Sequence, residues 1–198
     1  MNDLYAEALL SFRELLEEAR ASGDPEPTAM TLATLGEGGR VAARTVLLKG
    51  YDERGFVFYT NCASRKGLEL RAHPQAALLF HWRHIRHGVQ VRIEGAASQV
   101  EDAEADRYFA SRPRPSQIGA WASEQSRTLA SREAFDARMS EMEARFADQP
   151  VPRPPHWSGF RIRPDAIELW YGAHFRLHER YLYERGEDGS WDKRMLFP

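Results

Sequence analysis

Between Thr28 and Thr60 the chain offers three strand-length apolar segments separated by two tight turns. "TAMTLATL" is followed by "GEGG", "RVAARTVLLKGY" by "DERG", and then comes "GFVFYT". Connections this short leave room for hairpins but not for the crossovers that parallel strands need, so an antiparallel meander is expected. The pattern continues with "QAALLFHW" and with "GVQVRIEGAAS", where Val89, Val91 and Ile93 alternate with Gln90, Arg92 and Glu94. It returns at the C-terminus in "SGFRIRP", "AIELWYG", "HERYLYERG" and "SWDKRMLFP", with "EDG" as a hairpin turn.

Helical spacing is confined to a few places. Leu4, Ala8, Phe12, Leu15 and Ala19 share one face of a helix expected from about Asp3 to Ala21, closed by "SGDPEP". Ser64 is placed to cap a short helix, "RKGLELRAH", that stops at Pro74. "EDAEADRYFASR" and "SREAFDARMSEMEARF" are two more, and "DQPVPRPPHW" is a loop. Strands that do not alternate regularly with helices disfavour a doubly wound parallel sheet. The expected fold is mainly β with helical additions (α+β), a β-barrel in one domain over 1–198. Residues 1–22 form its N-terminal helix and 101–147 a helical insertion.

Charge narrows the function. Lys and Arg number 27, Asp and Glu 29, for a net charge of −2. A nucleic-acid binder of this size would carry a basic excess, so none is expected, and the cations must act locally. Cys62 is the single cysteine, so no internal disulfide forms, as suits a reducing compartment, and a small filler role is expected for it. The acidic, amphipathic N-terminus lacks the basic start and apolar centre of a signal peptide. No apolar run approaches the ~20 residues of a membrane span. A cytoplasmic protein with no membrane contact is expected.

The cations fall into four clusters: Arg44 and Lys49 on the second strand, Arg65 and Lys66 opening a helix, Arg112 and Arg114 in "SRPRPSQIGAW", and Arg176, His178 and Arg180 in "FRLHERY". A helix N-terminus supplies free N–H groups and a positive dipole end, so Arg65, Lys66 and Ser64 make a phosphate site. Arg44 and Lys49 lie five apart, and strict alternation puts them on opposite faces. They serve one cavity only through a bulge, a reach around an edge or a second subunit. "SRPRPSQIGAW", stiffened by its prolines, reads as a donor-rich loop suited to an anion. "HWRHIRH" spaces His81, His84 and His87 by three, but Arg83 and Arg86 oppose a bound cation, so a solvated loop and no metal are expected.

The segments "RTVLLKGYDERGFVFYTNCASRKGLEL", "YFASRPRPSQIGAWAS", "EQS" and "WYGAHFRLHERY" together resemble the pyridoxamine 5'-phosphate oxidase family, in order, from about Pro27 to Pro198. The resemblance implies an FMN-binding split β-barrel that works as a homodimer with shared active sites. It implies FMN contacts from Arg44, Thr45, Val46, Leu47, Leu48 and Lys49, from Tyr59, Thr60, Arg65 and Lys66, and from Gln90, Gln125, Ser126, Trp170 and Arg180. It gives the substrate phosphate to Lys49, Tyr108, Arg112 and Ser116. Arg176, Leu177 and His178 would meet the substrate ring, with Arg176 and His178 as the catalytic pair. The implied reaction oxidises pyridoxamine or pyridoxine 5'-phosphate with molecular oxygen to pyridoxal 5'-phosphate, releasing hydrogen peroxide, and ammonia from the amine. The alternative is a non-catalytic flavin or pyridoxal phosphate binding protein on the same barrel. Tyr171 stands where the family commonly has Gln, Glu179 where it has Asp, and Val89 where it has Arg. The ending "RMLFP" also varies. The family's upstream segment, which helps cover the substrate, has no counterpart in the sequence.

Overall fold

A computed structural model describes residues 4–198. The start expected for the first helix, Asp3, lies outside them. Helix α1 runs Leu4–Ala21, and four strands follow: β1 Ala29–Leu35, β2 Val41–Leu47, β3 Gly50–Asp52 and β4 Gly55–Asn61. Helix α2 spans Arg65–Ala72, β5 Gln75–Trp82 and β6 Val89–Gln99. Three helices come next, α3 Asp102–Ser111, α4 Arg114–Ala122 and α5 Arg132–Arg145. Strands β7 Trp157–Tyr171, β8 Glu179–Arg185 and β9 Trp191–Leu196 complete the chain.

Nine strands of the described residues form one sheet in the order β2-β1-β5-β6-β7-β4-β3, with β8 and β9 added on β7. Every pairing is antiparallel. β2 and β3 stand at opposite ends of that order, yet only Leu48 and Lys49 separate them in the chain. The sheet must therefore curl until its two ends meet. Leu48 N–H donates to Thr28 O at 2.9 Å and Lys49 N–H to Val57 O at 2.8 Å, so these two residues pin the closure to both sides.

The expected single strand over "RVAARTVLLKGY" is thus two strands, broken at Leu48 and Lys49. "SGFRIRP" and "AIELWYG" are, conversely, one strand. β7 runs through Pro164 and is long enough to serve two partners in succession, β4 along Trp157–Ile162 and β8 along Ala166–Tyr171. β6 pairs with nearly all of it, shifting register between Glu94 and Gly95. The shift needs a glycine, because a Cβ on Gly95 would sit 2.0 Å from the Arg163 carbonyl oxygen.

Helix α1 packs its apolar face into the core of the sheet. Ala8, Phe12, Leu15, Leu16 and Ala19 are all buried, as their spacing predicts. Phe12 meets the rings of Tyr51, Phe56 and Phe80 edge-on at about 5 Å, which makes it the centre of the core. Cys62 is buried in the same core, where a small apolar side chain is needed. His81 lies on β5 next to its last residue, while His84 and His87 sit in the following turn. Among the described residues no helix is long and apolar enough to cross a membrane.

Candidate active site

One cavity of about 510 Å³ opens where the closure of the barrel meets the helical insertion. Its floor is the end of β2 with Lys49, and Tyr59, Thr60 and Asn61 from β4. Lys66 enters from the start of α2. Tyr108, Arg112 and Ser116 come from α3 and α4, and Gln125 from the loop beyond.

Local chemistry explains each placement. Ser64 caps α2, its Oγ accepting from Gly67 N–H at 3.4 Å. That cap starts the helix where β4 ends and sends Lys66 inward. Lys66 Nζ donates to Gln125 Oε1 at 2.8 Å, to Thr60 Oγ1 at 3.2 Å and to Ser64 Oγ at 3.4 Å, all neutral acceptors. Burial and the nearby Arg44 charge pull its pKa below the ordinary lysine value, against an opposing pull from Glu69.

Arg112 is in a similar state. Its guanidinium lies 4.8 Å above the Trp157 ring and 5.5 Å from the Phe109 ring. Its Nη1 is buried and has no hydrogen-bond partner. Burial holds its pKa below the usual arginine value. Beneath it Tyr59, Tyr108 and Trp157 form a layered wall. The Tyr59 and Tyr108 rings are 3.9 Å apart and 11° from parallel, and Tyr59 and Trp157 are 5.4 Å apart and 5° from parallel. Burial, with Glu104 and Tyr108 nearby, pushes the Tyr59 phenol up to about 12, so it stays a proton donor at neutral pH.

The segment expected as a stiff loop, "SRPRPSQIGAW", is largely helix α4. Pro115 sits in its first turn, where a helix N–H has no partner to lose. The helix puts Ser116, Gly119 and Ala120 on the cavity. Arg114 turns away. Its Nη1 and Nη2 donate to the Gln149 and Phe146 carbonyls beyond α5, at 3.2 and 2.5 Å, so it ties two helices together.

Four residues expected beside the cofactor do not line this cavity. Leu48 is buried in the core. Arg44 occupies the opposite face of β2 from Thr45 and Leu47, as alternation requires. It donates to the Thr34 hydroxyl and pairs with Glu69 at 3.0 Å. Arg65 is mostly exposed and pairs with Glu69 at 2.8 Å. Ser126, at φ +74°, accepts from the Arg65 backbone N–H at 3.2 Å. Glu69 is only 8% exposed. Burial pushes its carboxyl up, but hydrogen bonds from Thr34, Arg65 and Arg44 outweigh it and hold the group below its ordinary value.

The remaining expected residues form a second group on β6, β7, β8 and the connection between β7 and β8, and none of them lines the cavity. Gln90 pairs in register with Trp170, and Trp170 with Arg180. The His178 ring lies 4.3 Å from Trp170, and its Nδ1 accepts from Ala173 N–H at 3.2 Å, leaving Nε2 as the outward nitrogen. Arg180 is held by the buried Glu168 at 2.7 Å and donates to the Phe197 carbonyl at 3.1 Å. Arg92 contacts the other Glu168 oxygen at 2.5 Å. Arg176 makes no ion pair among the described residues, and it and Phe175 have φ of +62° and +56°. Phe175 and Leu177 are exposed on either side of it.

Five cavity residues escape a reading from the sequence: Asn61, Gly119, Ala120, Ser123 and Trp157. Trp157 follows a proline-rich segment, and its aromatic side chain was the available signal. The others are small or neutral and reach the cavity only through the packing of α4 on β4.

Two family profiles cover nearly the whole chain. One, pyridoxamine 5'-phosphate oxidase, matches residues 15–146. The chain belongs to the pyridoxamine 5'-phosphate oxidase family. The other, described as the pyridoxine 5'-phosphate oxidase C-terminal dimerisation region, matches residues 157–198 and supports a homodimer. That region contains β7, β8 and β9, and with them Trp170, Arg176, His178 and Arg180 of the second residue group. A pyridoxine/pyridoxamine 5'-phosphate oxidase of Xanthomonas euvesicatoria pv. vesicatoria is 60% identical over the full length of both chains. One from Myxococcus xanthus is 57% identical over 94% of this chain and 89% of its own. The solved PhzG of Burkholderia lata 383, in complex with tetrahydrophenazine-1-carboxylic acid, is 33% identical with a TM-score of 0.90, covering 100% of this chain and 98% of its own. An FMN-binding protein of Nostoc punctiforme, 17% identical with a TM-score of 0.75 over 95% of each chain, shares the fold. The expected split barrel is the fold of this family.

Proposed function

We propose that this family member is an FMN-dependent oxidase. It converts pyridoxamine 5'-phosphate, pyridoxine 5'-phosphate or both to pyridoxal 5'-phosphate in the cytoplasm, with molecular oxygen as acceptor. Hydrogen peroxide is released, and ammonia from the amine. The observation that carries the reading is the pair of half-buried cations, Lys66 and Arg112, that face one cavity with no carboxylate in contact. A desolvated cation without a counter-ion is costly, and a bound phosphate would relieve both. The reaction needs two phosphate pockets, one for the cofactor and one for the substrate, and the cations lie on different elements.

Lys66, with Thr60, Gln125 and the start of α2, suits the flavin phosphate. Lys49, Arg112, Tyr108 and Ser116 suit the substrate phosphate, Tyr108 donating from its phenol. FMN, when bound, supplies the hydride acceptor, so no protein nucleophile is required. Arg176 and His178 belong to the second group and line no part of their own chain's cavity. In the proposed homodimer, Arg176 of the partner subunit orients the substrate and His178 of the partner subunit holds or moves a proton at Nε2. Gln90, Trp170 and Arg180 complete the flavin site from that same side.

Mixing the purified protein with either phosphorylated vitamer in air should raise the absorbance of pyridoxal 5'-phosphate and consume oxygen. A flavin-loaded protein that turns over neither vitamer would overturn the oxidase reading. Lys66→Ala should weaken FMN binding by roughly 10- to 150-fold, the value of a charge-assisted contact of about 1.5–3 kcal/mol. Flavin-fluorescence titration of the flavin-stripped chain reads this directly, and an unchanged Kd would remove Lys66 from the cofactor site.

A further inference from the structure

Among the described residues, Glu69 is the one carboxylate that touches the cations gathered at the start of α2. Its Oε1 lies 2.8 Å from Arg65 Nε, and its Oε2 lies 3.0 Å from Arg44 Nη2 and 2.5 Å from the Thr34 hydroxyl. It also acts electrostatically on Lys66. Three cations and one buried carboxylate leave a net charge of +2, equal and opposite to a phosphate dianion.

We propose that Glu69 is an internal counter-ion of the cofactor-phosphate site, stabilising the flavin-free protein by holding Arg44 and Arg65 at the expense of affinity for the phosphate. The inference rests on the reading of Lys66 and the start of α2 as the flavin-phosphate site given above, beside which Arg44 and Arg65 lie. The partly buried Arg44 guanidinium, left without a partner, would repel the neighbouring Arg65 and Lys66 while no ligand is bound. Glu69 removes that cost through direct contacts. The same negative charge faces any anion that enters. Its hydrogen bond from Thr34 fixes the carboxylate without altering the charge, so geometry and charge can be changed separately.

The test is FMN titration of the flavin-stripped full chain, followed by flavin fluorescence, beside thermal melts with and without inorganic phosphate. Glu69→Gln keeps the side-chain size and an acceptor oxygen but removes the charge. Its melting temperature without ligand should fall, inorganic phosphate should raise it by more than in the wild type, and the FMN Kd should drop by about tenfold, the scale of one partly buried unit charge acting on a dianion. Thr34→Val should lower the melting temperature while leaving the FMN Kd within about twofold of wild type, a change too small to signal a lost charge. An FMN Kd that is unchanged or raised in Glu69→Gln overturns the counter-ion role, as does a Thr34→Val variant that tightens FMN as strongly. A wild-type chain that binds neither FMN nor phosphate overturns the phosphate-site reading itself.

Discussion

Arg176→Ala is expected to retain its flavin and lose most of its turnover with both phosphorylated vitamers. Arg176 has no ion-pair partner among the described residues and sits in a left-handed backbone conformation beside an exposed Phe175. Non-glycine residues hold such a conformation at a cost, and they cluster where a side chain has to be aimed. An arginine held this way and left unpaired is available to a ligand. It takes no part in the cavity that contains Lys66, so flavin retention should persist. Its loss removes a charge-assisted contact to the reacting end of the substrate, raising the barrier by roughly 2–4 kcal/mol. That is about thirty- to a thousand-fold in rate. Arg112→Ala should act differently. Its contact to the remote phosphate is made in ground and transition states alike, so KM should rise more than kcat falls. Steady-state kinetics separates the two, and an Arg176→Ala enzyme with wild-type kcat and KM would return "RLH" to the role of a surface loop.

The parts of the fold set by near neighbours were legible in the sequence. The apolar face of α1, the Ser64 cap and the alternation along β6 all depend on residues within a few positions, and all stand where the pattern puts them. α4 escaped because two prolines in "SRPRPSQIGAW" suggest a stiff loop, whereas a proline in a first turn costs a helix nothing. The break at Leu48 and Lys49 escaped because it exists only to close the barrel, and closure depends on strands far apart in sequence.

The candidate site divides in the same way. Its chemistry was readable as clusters of cations with neutral donors. Its arrangement was not, because the decisive contacts are remote. Arg44 reads in the sequence as an unpartnered cation, and the structure pairs it with Glu69, 25 residues away. Alternation along a single strand predicts opposite faces for Arg44 and Lys49, and in the structure Lys49 lines the cavity from beyond the end of β2 while Arg44 does not line it. Of the three ways they might share a cavity, a bulge is not what the chain uses at that point. It ends the strand instead.

Complementation between two inactive variants should decide whether two chains build each site. Arg112→Ala damages the cavity and leaves the β6–β8 group intact, while Arg176→Ala does the reverse. Assayed well below the wild-type KM, each should be nearly inactive alone. In a symmetric dimer with sites shared across the interface, a mixed dimer combines both defects in one site and neither in the other. After subunit exchange of an equal mixture, half the dimers are mixed and half of their sites are intact, so about a quarter of wild-type activity should return. If one chain supplied both halves of its own site, every site in the mixture would carry one defect and nothing would return. The recovered fraction therefore reads the topology of the site directly, without any measurement of binding. Recovery should also fall on dilution once the dimer dissociates, because Arg176 does not line the cavity of its own chain.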